Sequence, residues 1–399
     1  MFLETKDAQR RAQVVGLMER VFADLEISPS RVVLAQQRYE AMGAWLAESS
    51  DPLLRGLAVY LQGSTAIGTT VRPIGTDEHD VDLVSRLVMS SSMAPWQAKK
   101  AIGDRLKQSP HYAPLLVEMQ RCWRLNYANE FHMDITPSIP NPGCEQGGEL
   151  VPDKALRVWK TSNPLGYRNR FLRRAALKPR FREFKTFQRD AMAGSVEAFP
   201  SQPRFKNILQ RSVQVAKRHR DMHFERQGLD ISHRPISVIV TTLAALSYEY
   251  CVTNFIYDDE LQLLLDVLRH MPDFIESRLV DGQVQWFVWN ETTSGENFAE
   301  KWNQHPERAR AFYSWHASAL NDMARLMQFE GIDGLSKRFE DSFGRAPTQK
   351  AIQSMTDEVA ELRGRGKLYA APGVGLVAGA GAATSATPVA ANTFFGREP

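Results

Sequence analysis

The sequence predicts an α+β protein whose first half mixes strands and helices and whose second half is mostly helical. Three observations carry this. Short strand-like runs lie between about 57 and 140. A hairpin pattern sits among them. From about 205 onward, apolar residues recur at helical spacing over long stretches. The chain has 399 residues, enough for two ordinary domains, and its 43% hydrophobic and 24% charged content is globular. The expected organisation is a first domain over 1–200 with N-terminal helices, a helical domain over 201–368, and a flexible Gly/Ala-rich tail over 369–399.

Each element has a local reason. Val14, Val15, Leu17, Met18, Val21, Phe22 and Leu25 fall on one helical stripe. Ser28 or Ser30 can cap a second helix running to about Glu48. Leu57 to Leu61 reads as a strand entering a Gly-Ser turn, and Val81 to Leu87 as another apolar strand. Trp123, Leu125 and Tyr127 alternate with polar residues, and Phe131 to Ile135 follows after Ala128-Asn129-Glu130, which is a hairpin pattern. Phe205, Ile208, Leu209 and Ala216 form a helical stripe, and Pro235 to Leu246 opens a further helix, since proline suits a first turn. Val284 to Trp289 is the one strand-like stretch expected in the second half.

Composition excludes several classes. Net charge is only +3, so the molecule is not a general polycation. Charge is uneven, however: residues 154–220 hold 18 Lys and Arg against three acids, about +15 locally. That stretch is either a phosphate-attracting groove or cations spread over several surfaces. The three cysteines, Cys122, Cys144 and Cys251, stand far apart, which excludes a disulfide framework or a cysteine-rich zinc site. Met1 to Asp7 lacks a secretory pattern, and Ala370 to Gly396 is too weakly apolar for a membrane span. A cytoplasmic protein without membrane association is expected.

The chemistry concentrates in two segments, Leu61-Gln62-Gly63-Ser64-Thr65 and His79-Asp80-Val81-Asp82-Leu83-Val84. In a strand, residues two apart share a face, so Asp80 and Asp82 stand together while Val81 and Leu83 enter the core. Adjacent carboxylates repel unless a cation or proton lies between them, and clustered carboxylate oxygens suit Mg²⁺. Met133 and Ile135 facing inward leave Asp134 on the opposite face of its strand. Three strand-borne carboxylates can hold two divalent cations for in-line phosphoryl transfer. Gly63 allows close backbone approach, and backbone N–H groups with the Ser64 hydroxyl can meet a triphosphate.

In this order, Gly63-Ser64 and Asp80-Val81-Asp82 resemble the signature of the DNA polymerase β superfamily. The fuller wording, LQGSTAIGTTVRPIGTDEHDVDLV, then FHMDITPSIPN, then SNPLGY, is similar to the bacterial CD-NTases, relatives of cyclic GMP–AMP synthase and oligoadenylate synthase. AKRHRD, PISVIVTTLAAL and ENFAEKW agree, so the resemblance runs from about Leu61 to Gly344. It implies a polymerase β-like nucleotidyltransferase core, a mixed sheet with flanking helices, joined to a helical C-terminal domain. It further implies two Mg²⁺, replaceable by Mn²⁺, held by Asp80, Asp82 and Asp134. NTPs such as ATP or GTP would bind at Gln62, Gly63, Ser64, Lys217 and Ser237, with Asp134 beside the attacking hydroxyl.

The implied product is a cyclic di- or trinucleotide messenger of CBASS antiphage defence, with accessory or activator proteins as partners and nucleic acid not required. Taken alone, Lys217 reads first as a solvated lysine, Ser237 as a capping serine, and Asp134 as a cap of the Thr136-Pro137 turn. His79, His132 and His219 read as structural or phosphate-facing rather than as zinc ligands. Two other readings compete with the synthase: a linear RNA or tRNA nucleotidyltransferase using the basic stretch, and a catalytically silent nucleotide-binding protein.

Overall fold

The computed structural model describes residues 2–75, 79–89, 91–127, 130–182, 207–328, 331–371, 375–378 and 386–390. Two helices lead, α1 (Phe2–Leu25) and α2 (Pro29–Ala47). Ser28 is the cap of α2, its Oγ accepting from the Arg31 N–H at 3.4 Å. Next come β1 (Ala58–Leu61), the short helix α3 (Gly63–Ile67), β2 (His79–Arg86) and α4 (Pro95–Lys107). The strands β3 (Leu116–Glu118), β4 (Trp123–Tyr127), β5 (Phe131–Pro140), β6 (Glu149–Pro152) and β7 (Trp159–Ser162) complete a mixed sheet. Its order is β1-β2-β5-β4-β3, with β6 and β7 continuing from the far end of β5. Only β2 and β5 run parallel; the other neighbours are antiparallel.

One face of this sheet is apolar. Val81, Leu83, Leu125, Met133 and Ile135 point into a core closed by Met42 and Leu46 of α2 and Ile102 and Leu106 of α4. Trp123 presses so closely on α4 that a Cβ at Gly103 would lie 2.2 Å from its ring, and its indole N–H donates to the Lys99 carbonyl at 2.7 Å. Strand alternation puts the polar set on the other face.

The second half holds α5 (Pro164–Ala175), α6 (Ile208–Arg226) and α7 (Ser237–Asn254), then helices Glu260–Arg269, Pro306–Arg325, Gly331–Phe343 and Arg345–Gly364. Gln283–Phe287 is the expected strand, paired with Glu276–Val280 through an Asp281-Gly282 turn in which both residues have positive φ.

Three sequence expectations change. The α1 stripe joins the helical cluster rather than the sheet core, although it lies at the start of the chain. Phe22 meets Phe343 edge-on at 5.2 Å, and Arg20 and Asp24 pair with Glu358 and Lys350 of Arg345–Gly364. The division near 200 therefore does not separate the two apolar clusters. Within the stretch expected as a flexible tail, the described residues include paired strands: Leu368–Ala371 pairs with Gly375–Ala378 and Thr387–Pro388. Pro235 lies just before the cap residue Ile236 rather than inside the first turn of α7. Phe205 lies outside the described residues.

Candidate active site

The site is built by strand register. Asp82 on β2 lies directly beside Asp134 on β5, and Asp134 directly beside Arg124 on β4. Directly paired residues share a face, so the three side chains form a row across three strands. Asp80 lies two residues before Asp82 and on the same face. The side chain of Asp80 is 60% exposed at the end of the row, whereas that of Asp134 is 16% exposed. Met133 and Ile135 are fully buried on the opposite face, as the alternation predicts.

Repulsion within the row is strong. Burial first, then the charges of Asp134 and Asp80, push the Asp82 carboxyl up to about 6. Arg124 partly relieves it. Its Nε and Nη2 donate to the two oxygens of Asp134 at 2.6 and 2.7 Å, and Nη2 lies 3.5 Å from Asp80. This forked arrangement is the geometry in which guanidinium binds a carboxylate best. The donor set is of hard oxygens in the kind and number that Mg²⁺ prefers. Among the described residues, however, no three acidic or histidine side chains converge on one metal-sized point. Asp134 is turned instead toward Arg124.

The Gly-Ser turn faces the same row. Gly63 has φ +65°, and a Cβ there would lie 2.3 Å from Asp82 Oδ2. Only glycine allows both the left-handed backbone and that approach. The Gln62 N–H donates to the Asp82 carbonyl at 2.9 Å, tying the start of α3 to β2. The Gln62 side chain makes no capping bond. Ser64 Oγ accepts from Thr70 Oγ1 at 3.4 Å, and Thr65 Oγ1 donates to the Asp80 carbonyl at 3.5 Å.

Lys217 approaches from α6. It is buried, and its Nζ donates to the Thr69 carbonyl at 2.9 Å, just past α3. Burial, with help from Arg220, brings the amine down to about 8, while Asp221 and Asp82 act in the opposite sense. Lys217 is therefore no solvated lysine and stands within electrostatic reach of Asp82. Ser237 is exposed at the first position of α7, and its Oγ accepts from Arg220 Nη1 at 3.3 Å. Arg220 also donates to the Pro235 carbonyl and pairs with Asp221, so one guanidinium joins α6 to the start of α7.

The histidines occupy three different settings. His79 lies on the apolar face, its ring 5.5 Å from that of Phe131, and burial keeps it neutral. His132 shares the carboxylate face, across from Asp80. His219 is internal, accepting from the Trp315 indole at 3.2 Å and lying 3.1 Å from Asp322.

Arg124 was not identified as a site residue from the sequence, though the signal was present. Tyr127 pairs with Phe131, and counting back along the antiparallel register places Arg124 opposite Asp134. The basic stretch also changes meaning. Arg174 pairs with Glu249 and Glu291, Arg211 with Glu19 and Glu26, and Lys160 with Glu300. Arg218 donates to the Phe343 and Arg72 carbonyls. Arg174, Arg211 and Arg218 are thus tied into the packing between elements, whereas Lys160 pairs at the surface.

A family model described as the Second Messenger Oligonucleotide or Dinucleotide Synthetase domain matches residues 14–174. The chain is 29% identical over 395 residues to a c-di-GMP synthase of Roseivirga ehrenbergii, the match spanning 97% of this chain and 98% of that one. It is 26% identical over 401 residues to the cyclic dinucleotide synthase CdnG of Bradyrhizobium diazoefficiens, spanning 94% and 92% respectively. The solved structure of the Bradyrhizobium diazoefficiens CD-NTase CdnG in complex with GTP has the same fold, with a TM-score of 0.64 at 20% identity over 86% of this chain and 99% of that one.

Proposed function

The chain belongs to the bacterial CD-NTase family, and from that premise we propose that it is a nucleotidyltransferase making a cyclic dinucleotide, with GTP as its first candidate substrate. The observation that carries this reading is the row Asp82–Asp134 with Asp80, faced by the Gly63-Ser64 turn and by Lys217. The name of the Roseivirga relative and the GTP in the Bradyrhizobium structure favour guanine.

The reaction attaches a ribose hydroxyl of one nucleotide to the α-phosphorus of another. The bond between the α-phosphorus and the bridging oxygen breaks, and pyrophosphate leaves. A second such step closes the ring. Two Mg²⁺ held by Asp80, Asp82 and Asp134 would supply the charge that activates the hydroxyl and steadies the leaving phosphates. Gln62, Gly63 and Ser64 line the approach of the donor triphosphate along α3. Lys217 and Ser237 would add a cation and a hydroxyl for the same phosphates. Asp134, once its oxygens are free of Arg124, would take up the proton of the attacking hydroxyl.

No described helix is long and apolar enough to cross a membrane. Signalling in antiphage defence through accessory proteins is the finer role that the family resemblance adds. The linear RNA or tRNA nucleotidyltransferase reading draws no support from Arg174, Arg211 and Arg218, which are engaged within the fold.

The test is incubation with labelled GTP, alone and with the other NTPs, plus Mg²⁺ or Mn²⁺, followed by phosphatase and chromatography. A phosphatase-resistant product that is absent from Asp80→Asn/Asp82→Asn is expected. Product from that double variant would refute the assignment of the site.

A further inference from the structure

The proposed function leaves one feature of the row unexplained, the arginine inside it. Both oxygens of Asp134 are engaged by Arg124, and the same guanidinium extends to Asp80. Among the described residues its side chain has no other hydrogen-bond or ion-pair partner that would hold it to the fold. Its neighbours on β4, Trp123 and Leu125, are buried on the far face. The arginine itself keeps a side-chain exposure of 25%. A side chain with that exposure and a long flexible stem can turn away without unpacking the sheet.

We infer that Arg124 is the built-in counter-ion of the carboxylate row and competes with divalent cations for Asp134. This rests on the reading of Asp80, Asp82 and Asp134 as cation ligands. A divalent cation approaching the Asp134 oxygens meets the guanidinium that already holds both of them, and like charges that close crowd and repel each other. With Arg124 engaged, the row is steadied without a cation and Asp134 faces away from the point where a cation would sit. Divalent cations therefore bind the nucleotide-free protein weakly, and full occupation of the row requires Arg124 to let go. Arg124 is a positioning residue: it sets the orientation of Asp134 and the order in which the site assembles.

The experiment measures Mn²⁺ binding to the full chain without nucleotide, by the loss of the free-ion signal in electron paramagnetic resonance. Wild type, Arg124→Gln, Arg124→Lys and Asp82→Asn are compared after thermal melting confirms that each is folded. Arg124→Gln should bind Mn²⁺ at least about tenfold more tightly than wild type. Arg124→Lys, which keeps the charge but loses the fork, should fall between the two. Unchanged or weaker binding by Arg124→Gln overturns the proposal. So does a gain that vanishes in 1 M KCl, where the screening length is about 3 Å, since that marks a distant charge effect rather than displacement. Asp82→Asn separates the two readings. If it leaves Mn²⁺ binding intact, the carboxylate row is not the cation site and both readings fall. If it abolishes binding while Arg124→Gln changes nothing, only the counter-ion role falls.

Discussion

Replacing Gly63 by alanine separates backbone strain from damage to the carboxylate row. At φ +65° an added Cβ costs about 1–2 kcal/mol for the left-handed backbone alone. The same Cβ would stand 2.3 Å from Asp82 Oδ2, so the carboxylate must move by about an ångström. A displacement of that size at reacting groups costs on the order of 100-fold in rate. Gly68 provides the control. Its φ is +69°, and its added Cβ would lie 2.5 Å from Gln210 Nε2, the end of a flexible side chain. That amide can yield, giving up its 2.7 Å bond to the Ile67 carbonyl at a cost of about 1 kcal/mol. Both variants should therefore lose roughly 1–3 kcal/mol in urea unfolding followed by tryptophan fluorescence. Only Gly63→Ala should lose turnover, by about 100-fold in pyrophosphate release from GTP. Wild-type turnover in Gly63→Ala, or an equal loss in Gly68→Ala, would refute the reasoning, because the close approach to Asp82 would then not matter.

Other measurements probe the electrostatics. Asp82→Asn should lower turnover by about 10³-fold or more with little loss of stability, since it removes a repelled charge; a variant that turns over normally would remove Asp82 from the site. Lys217 falls from an ordinary 10.5 to about 8 in the folded protein. Between those values the unfolded chain holds a proton that the native one lacks, so the contribution of Lys217 to stability rises with pH across that window. The difference in unfolding free energy between wild type and Lys217→Met should move by on the order of 3 kcal/mol from pH 8 to 10.5; a flat difference contradicts the burial argument. On the role proposed for Lys217, the same titration predicts that the KM for GTP climbs above pH 8, where its amine loses its charge. Arg174 has a side-chain exposure of 6% between Glu249 and Glu291, which are 44% and 36% exposed. Arg174→Ala should cost about 2–3 kcal/mol, below the value for a fully buried pair because both partners reach water; a loss under 0.5 kcal/mol would show that the network is only surface decoration.

Much of the site was legible because strand chemistry is local. The alternation of Asp80, Val81, Asp82 and Leu83 already assigns one face to carboxylates and one to the core. The pattern Met133-Asp134-Ile135 does the same for β5. The hairpin from Trp123 to Ile135 was equally visible, yet its consequence for Arg124 depended on counting the register through the loop. The basic stretch stayed open between two readings for the opposite reason. Its acidic partners, Glu19, Glu26, Glu249, Glu291 and Glu300, lie far away in the chain. A local charge count carries no information about them.

The sequence by itself determined the α+β class, the strands that carry the three carboxylates, the Gly63-Ser64 turn and the helices that carry Lys217 and Ser237. Each of these follows from period, turn chemistry or spacing within a short window. Tertiary structure alone decided that β2 runs parallel beside β5, which brings Asp82 and Asp134 abreast. It also decided that α1 packs on the helical half, and that Lys217 enters the interior beside Thr69 with its amine brought down by burial. The physical reason is that desolvation and pairing depend on which distant segments exclude water from a group, and a linear pattern does not state who those neighbours are.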